Sequence, residues 1–147
     1  PGQQKRKQSV RQKLNAMSTE FKNKNVLIVD DSIVRGTTSK QIAQMAKLAG
    51  ANKVFFTSAA PPVRYPHVYG INMPTRNELI AHNRSIKDIS EKLEVDSLVY
   101  QSVEDLRKSI IDDSSIQDLE MCCFTGSYVT GTVNEEYLNW IEREYIS

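Results

Sequence analysis

Cysteine is scarce in this chain, with two residues, Cys122 and Cys123, placed side by side. Adjacent cysteines make no disulfide framework, and their use points to a reducing compartment, the cytoplasm. Long apolar runs are missing too. The longest near the start is Val26-Leu27-Ile28-Val29, far short of the roughly 20 residues of a membrane span. No apolar stretch follows the basic N-terminus, as a secretory signal requires. Neither sign of charge prevails, since 19 Lys+Arg face 18 Asp+Glu. What is present, 39% hydrophobic and 25% charged residues over 147 positions, fits a soluble globular chain with one core and excludes a mostly disordered one. The chain opens Pro1-Gly2 rather than with Met, the start expected of a processed product or a fragment.

The near-zero net charge conceals an asymmetry. Residues 1–24 hold seven basic residues and one acid, Glu20, a net +6, so the other 123 residues sum to −5. A basic arm ahead of an acidic body predicts a polyanionic partner: phosphate, nucleic acid or an anionic membrane. Val10, Leu14, Met17 and Phe21 recur at helical spacing within the arm, which predicts a surface helix docked on its own domain. A mitochondrial transit peptide is also basic and amphipathic. It normally begins with Met and ends at a cleavage-like break, and neither feature is found here.

From Lys24 the text alternates. Val26–Val29 is a continuous aliphatic run, the pattern of a strand buried on both faces of a parallel sheet. Asp30 to Gly36 is a polar turn. Thr37 to Ala49 predicts a helix, with Ile42, Met45, Ala46 and Ala49 on one face and Gly50 as its left-handed stop. Lys53–Thr57 predicts a second strand, completing a βαβ unit and with it an α/β fold. Further on, Ala59-Ala60-Pro61-Pro62 breaks the chain. Arg76–His82 and Ser85–Leu93 predict short helices, Ser97–Tyr100 a third strand and Val103–Ile111 another helix. Trp140 and Tyr145 are expected to anchor a C-terminal helix.

The chemistry concentrates in Val26 to Thr38. Two carboxylates, Asp30 and Asp31, leave the C-terminal end of a strand, where α/β sheets place ligands. A loop of Ser32, Ile33, Val34, Arg35, Gly36, Thr37 and Thr38 follows and opens a helix. Backbone N–H groups at a helix start form an anion site, Gly36 allows close approach of the backbone to a phosphate, and the hydroxyls add donors. The carboxylates suit sugar hydroxyls or Mg²⁺. Anion cradle and acids together point to a ligand with both a phosphate and a diol, such as a phosphorylated ribose. Three rivals compete. A receiver domain needs an acceptor Asp on a later strand, yet no Asp lies between Asp31 and Asp88. A Walker-B strand lacks its partner G-x-x-x-x-G-K-[ST] loop. A turn in which Asp30 and Asp31 merely cap a helix is the third.

Val26 to Thr38 resembles the phosphoribosyl pyrophosphate (PRPP) signature of type I phosphoribosyltransferases. Pro1-Gly2-Gln3, Ser9-Val10-Arg11, Lys13-Leu14-Asn15, Ser58-Ala59-Ala60-Pro61, Val68-Tyr69-Gly70-Ile71, Glu78-Leu79-Ile80-Ala81-His82, Phe124-Thr125-Gly126 and Tyr128-Val129-Thr130 are similar to the C-terminal part of the amidophosphoribosyltransferase family. The resemblance covers essentially the whole chain. It implies an incomplete type I phosphoribosyltransferase fold, a mainly parallel sheet flanked by helices. Residues 1–24 would be the remnant of a basic mobile loop with its connecting helix, and 25–147 the C-terminal portion of the domain. Pro1 would fall inside the loop, with the first strands and the N-terminal glutaminase domain preceding it.

The implied reaction is the first committed step of purine synthesis, in which ammonia from glutamine displaces pyrophosphate from C1 of PRPP to give phosphoribosylamine. The resemblance implies that Asp30 and Asp31 hold the ribose hydroxyls and Mg²⁺, that Ser32 to Thr38 bind the 5′-phosphate, and that Lys13 belongs to a lid over the pyrophosphate. Asp30, Asp31 and Lys13 are thereby the expected catalytic residues. Purine nucleotides become expected feedback inhibitors, with Met73-Pro74 near their site, and the full-length enzyme an expected homo-oligomer. Neither membrane nor nucleic acid is an expected partner. The alternative is a PRPP-responsive regulator of this fold that binds nucleic acid through the basic arm, but no helix-turn-helix accompanies it. Some family members hold an iron–sulfur cluster partly through a C-x-x-C before the Phe-Thr-Gly stretch. Here Glu120-Met121-Cys122-Cys123 stands there, and adjacent cysteines do not reproduce that spacing, so no cluster is expected. His67 and His82 stand apart from ligand partners in sequence and are expected to be structural.

Overall fold

Three runs rich in β-branched and aromatic residues form the sheet of the computed structural model, which describes residues 19–71, 75–112 and 114–146, with side chains to Arg143. They are β1 (Asn25–Asp30), β2 (Lys53–Ser58) and β3 (Ser97–Tyr100). All pair in parallel in the order β1-β2-β3. The register aligns Asp30 with Ser58 and Ser58 with Tyr100, so one row of residues closes the C-terminal end of the sheet.

Helix α1 (Thr37–Leu48) returns the chain from β1 to β2, and α2 (Ile86–Leu93) precedes β3. Ser85 starts α2 through a capping box with Asp88, its hydroxyl accepting the Asp88 N–H, which satisfies donors that a helix start leaves open. The two helices pack on the sheet and on each other. Between them lies the main core, with Ala43 and Ala46 of α1, Val54 and Phe56 of β2, Ile89 and Leu93 of α2, and Leu98 of β3, all buried. Small alanines on α1 let the helix lie close to the strand, which is why a stretch of modest hydrophobicity can cover a sheet.

The opposite sheet face is open. Burial in β1 alternates, and Leu27 and Val29 are 61% and 68% exposed, with Val99 of β3 at 58%. The expectation of a first strand buried on both faces is thus corrected. An aliphatic run signals capacity for two-sided burial, but the helices among the described residues pack on a single face.

Beyond β3 come α3 (Val103–Ile111), α4 (Cys122–Thr125) and α5 (Glu135–Ile146). A second small core joins Cys122 of α4, Leu138 of α5 and, from the loop between them, Tyr128 to Val68 and Tyr69. Arg76–His82 is not one helix. It forms a 3₁₀ turn at Arg76–Glu78 followed by an extended Leu79. Trp140 is 55% exposed and rests on Tyr137; the buried apolar side chain of α5 is that of Leu138. The stripe residues Val10, Leu14 and Met17, together with Lys13, Met73-Pro74 and the Tyr145 side chain, lie outside the described residues.

Candidate functional site

At the C-terminal end of β1 the chain must turn from strand to helix within six residues, and the turn is held from three sides. Ala59 and Ala60, just past β2, donate their N–H groups to the carbonyls of Asp30 and Asp31 at 2.9 and 2.8 Å. Ile33 sends its side chain into the core at 1% exposure. The Ile80 N–H donates to the Val34 carbonyl at 2.9 Å.

Gly36 then takes φ 76°, ψ −2° as the N-cap of α1. A Cβ there would meet Ile80 Cδ1 at 2.3 Å and Leu93 Cδ2 at 3.1 Å. Both the left-handed backbone and the lack of room demand glycine. Among the described residues no side chain caps α1, so the N–H groups of its first turn lack partners there and the positive end of the helix dipole faces outward.

Those N–H groups open into a cavity of about 470 Å³ lined by Asp30, Asp31, Ser32, Val34, Arg35, Gly36, Thr37, Thr38 and Ser39. The structure therefore brings together every residue expected from Asp30 to Thr38 except the side chain of Ile33, which serves the loop from beneath. Lys13, expected in the lid, lies outside the described residues.

The acids are only partly engaged. Asp30 Oδ1 accepts the Asp31 N–H at 3.1 Å, and Asp31 Oδ1 accepts the Ser32 N–H at 2.6 Å. Among the described residues, neither carboxylate pairs with a cation. Two carboxylates with open oxygens beside an uncapped helix start are the kind of donor set that Mg²⁺ takes when it keeps water and other oxygens as its remaining ligands. The residues present fit that ion.

Several supports of this site are unreadable in the local sequence. Arg35 Nε donates to Glu78 Oε1 at 3.1 Å across 43 residues. Glu78 is held below the usual carboxylate range, chiefly by the Thr75 N–H and also by Arg35. Tyr100, in the same row as Asp30 and Ser58, has a buried hydroxyl without a hydrogen-bond partner among the described residues, and burial pushes it up to about 12. Only the two-residue period of β3 marks Tyr100 as inward-facing; nothing marks its neighbours.

His67, apart from ligand partners in sequence, is placed by folding with Glu120 and Cys122, their ligand-type atoms within 4.8 Å of one another. The Tyr69 N–H donates to His67 Nδ1 at 3.3 Å, so Nε2 carries the proton and donates to Glu120 Oε2 at 3.2 Å. Glu120 Oε1 in turn accepts the Cys122 N–H at 2.8 Å. Burial, with the nearby Glu120, pushes the Cys122 thiol up to about 12. The trio is a hydrogen-bonded clasp holding a single cysteine, unlike the several cysteines that hold iron–sulfur clusters. His82 serves structure, its Nδ1 lying 2.9 Å from the Arg64 carbonyl.

Against known proteins, the chain is 59% identical over 144 residues to amidophosphoribosyltransferase from Pseudomonas aeruginosa, 97% of this chain and 29% of that protein. The match is to the C-terminal part of amidophosphoribosyltransferase. The Escherichia coli enzyme is 51% identical over 97% of this chain and 28% of its own length, and the Bacillus subtilis enzyme 39% over 100% and 31%. The chain thus spans under a third of the curated relatives it matches. Among solved structures, glutamine PRPP amidotransferase from Bacillus subtilis, complexed with ADP and GMP, superposes with a TM-score of 0.73 at 38% identity, covering 88% of this chain and 29% of that one. A structure of the allosteric regulatory enzyme of purine biosynthesis aligns with a TM-score of 0.69 at 39% identity over 76% of this chain and 24% of its own. The fold is that of a type I phosphoribosyltransferase. No family model matches the sequence. Among the described residues, no helix is long and apolar enough to cross a membrane.

Proposed function

We propose that this chain supplies the PRPP site of an amidophosphoribosyltransferase, in which ammonia from glutamine replaces the pyrophosphate of PRPP to give 5-phosphoribosylamine. One observation carries the reading: the uncapped start of α1 behind Gly36 and the unpaired acids Asp30 and Asp31 open into the same cavity. An anion and a polyol, held a few ångströms apart, are the two recognition elements of a phosphorylated ribose.

In this reading the first-turn N–H groups and the hydroxyls of Ser32, Thr37 and Thr38 bind the 5′-phosphate. Asp30 and Asp31 accept from the ribose hydroxyls and hold Mg²⁺, which would neutralise charge on the departing pyrophosphate. Holding the ribose hydroxyls sets C1 toward the incoming ammonia, an entropic advantage for a bimolecular step. Lys13 belongs to the cationic lid that closes over pyrophosphate and excludes water. Ammonia comes from the glutaminase portion of the enzyme, purine nucleotides act as feedback inhibitors, and the enzyme works as a cytoplasmic homo-oligomer. The clasp of His67, Glu120 and Cys122 takes the place of an iron–sulfur cluster; stoichiometric iron and sulfide in purified protein would contradict that.

The test is substitution in the full-length enzyme. Asp30→Asn and Asp31→Asn are each expected to abolish PRPP turnover while circular dichroism and glutamine hydrolysis persist. Wild-type turnover in both variants would sink the assignment.

A further inference from the structure

The phosphate loop is braced from a distance. Arg76, whose side chain is 14% exposed, begins the 3₁₀ turn and reaches α5. Its main-chain N–H and its Nε both donate to Glu142 Oε1 at 2.9 Å, and one terminal nitrogen reaches Glu142 Oε2 at 3.0 Å. That same nitrogen also donates to Asn139 Oδ1, and the other terminal nitrogen bonds Glu135 Oε2 at 2.6 Å. Glu135, Asn139 and Glu142 are spaced by four and three, so one stripe of α5 is dedicated to this single guanidinium.

From the turn the linkage continues to the loop. Glu78 Oε2 accepts the Thr75 N–H and hydroxyl at 3.1 and 3.2 Å, while its Oε1 takes Arg35. Two residues on, Ile80 bonds the Val34 carbonyl and lays its side chain against Gly36. Residues 75–80 form a strap, tied to α5 at one end and to residues 34–36 at the other.

We infer that Arg76 is a positioning residue for the phosphate loop, through which the C-terminal helix α5 sets the placement of residues 34–36 and hence affinity for the 5′-phosphate. Arg76 does not line the cavity at Asp30 and Asp31, so it acts through the strap. This rests on the PRPP reading given above. The 5′-phosphate does not react, so its contacts are equally strong in ground and transition states. Loosening them raises KM and leaves kcat in place.

The experiment uses the full-length enzyme with PRPP·Mg²⁺, comparing Arg76→Met, the milder Glu142→Gln, Ile80→Ala and the double variant Arg76→Met/Ile80→Ala. Arg76→Met is expected to raise KM for PRPP about tenfold, the size of one lost charge-assisted hydrogen bond. Glu142→Gln should raise it by a smaller factor in the same direction. In both, kcat and glutamine hydrolysis stay within about twofold of wild type. Because Arg76 and Ile80 lie on one strap, the double variant should show a KM no worse than the more severe single variant. A merely structural staple predicts a lower melting temperature with KM unchanged. That result, or independent multiplication of the two KM effects, overturns the inference. If Arg76→Met does not fold, the KM of Glu142→Gln decides alone. Failure of the underlying reading looks different, since Asp30→Asn and Asp31→Asn would then retain turnover.

Discussion

Gly36 concentrates the demands of the site in one residue. Its φ of 76° strains any side chain, and a methyl group would overlap Ile80 Cδ1 at 2.3 Å. Gly36→Ala is therefore expected to cost about 1–3 kcal/mol, read as a lower urea midpoint, and to weaken PRPP binding more than global stability. Asp30 and Asp31 make the contrasting case. They are half-buried and exposed and carry little of the fold, so their substitution separates chemistry from stability. That these acids face the cavity was legible in the sequence, because strand, acids, glycine and helix start are contiguous and the turn geometry follows from local backbone rules. That Ile80 fills the space behind Gly36 was not, since their contact spans 44 positions.

Among the elements, α2 and α5 carry the clearest predictions. Leu93 of α2 is fully buried and also approaches Gly36, so Leu93→Ala should destabilise by about 2–5 kcal/mol in denaturant titration. Its binding defect for PRPP should come with that loss of stability. For α5, the hydrogen bonds from Arg76 hold Glu142 below the usual carboxylate range. A carboxylate depressed in the folded state contributes stability that is present above its unfolded value and lost as pH falls through its folded value. The docking of α5 should thus weaken on the acid side, below the range where free glutamates titrate. Trp140, the single tryptophan, sits on this helix and reports the change by fluorescence. Glu142→Gln should remove the acid transition; an unaltered titration would show that another group controls it.

For the whole molecule, the open sheet face matters most. Leu27, Val29 and Val99 form an apolar patch next to β1, an edge strand with no partner on its outer side among the described residues. Apolar patches beside an unpaired edge favour association. The 147-residue chain is expected to bind a hydrophobic dye and to self-associate in sedimentation experiments. Leu27→Thr with Val29→Thr should reduce both while leaving the α1–α2 core intact. Undiminished association of that double variant would place the sticky surface elsewhere.

The sequence by itself determined the βαβ order, the ends of β2, α2, β3 and α3 to within a residue or two, and the turn from Asp30 to Thr38 that gathers at one cavity. All of these depend on short-range periodicity, capping and turn chemistry, which neighbouring residues express directly. Tertiary structure alone decided which face of β1 is covered, that Arg76 meets Glu142 across 66 positions, and that His67 closes on Glu120 and Cys122. Such contacts depend on how whole elements pack. A polar side chain at an ordinary-looking position carries no local mark of the partner that folding will bring to it.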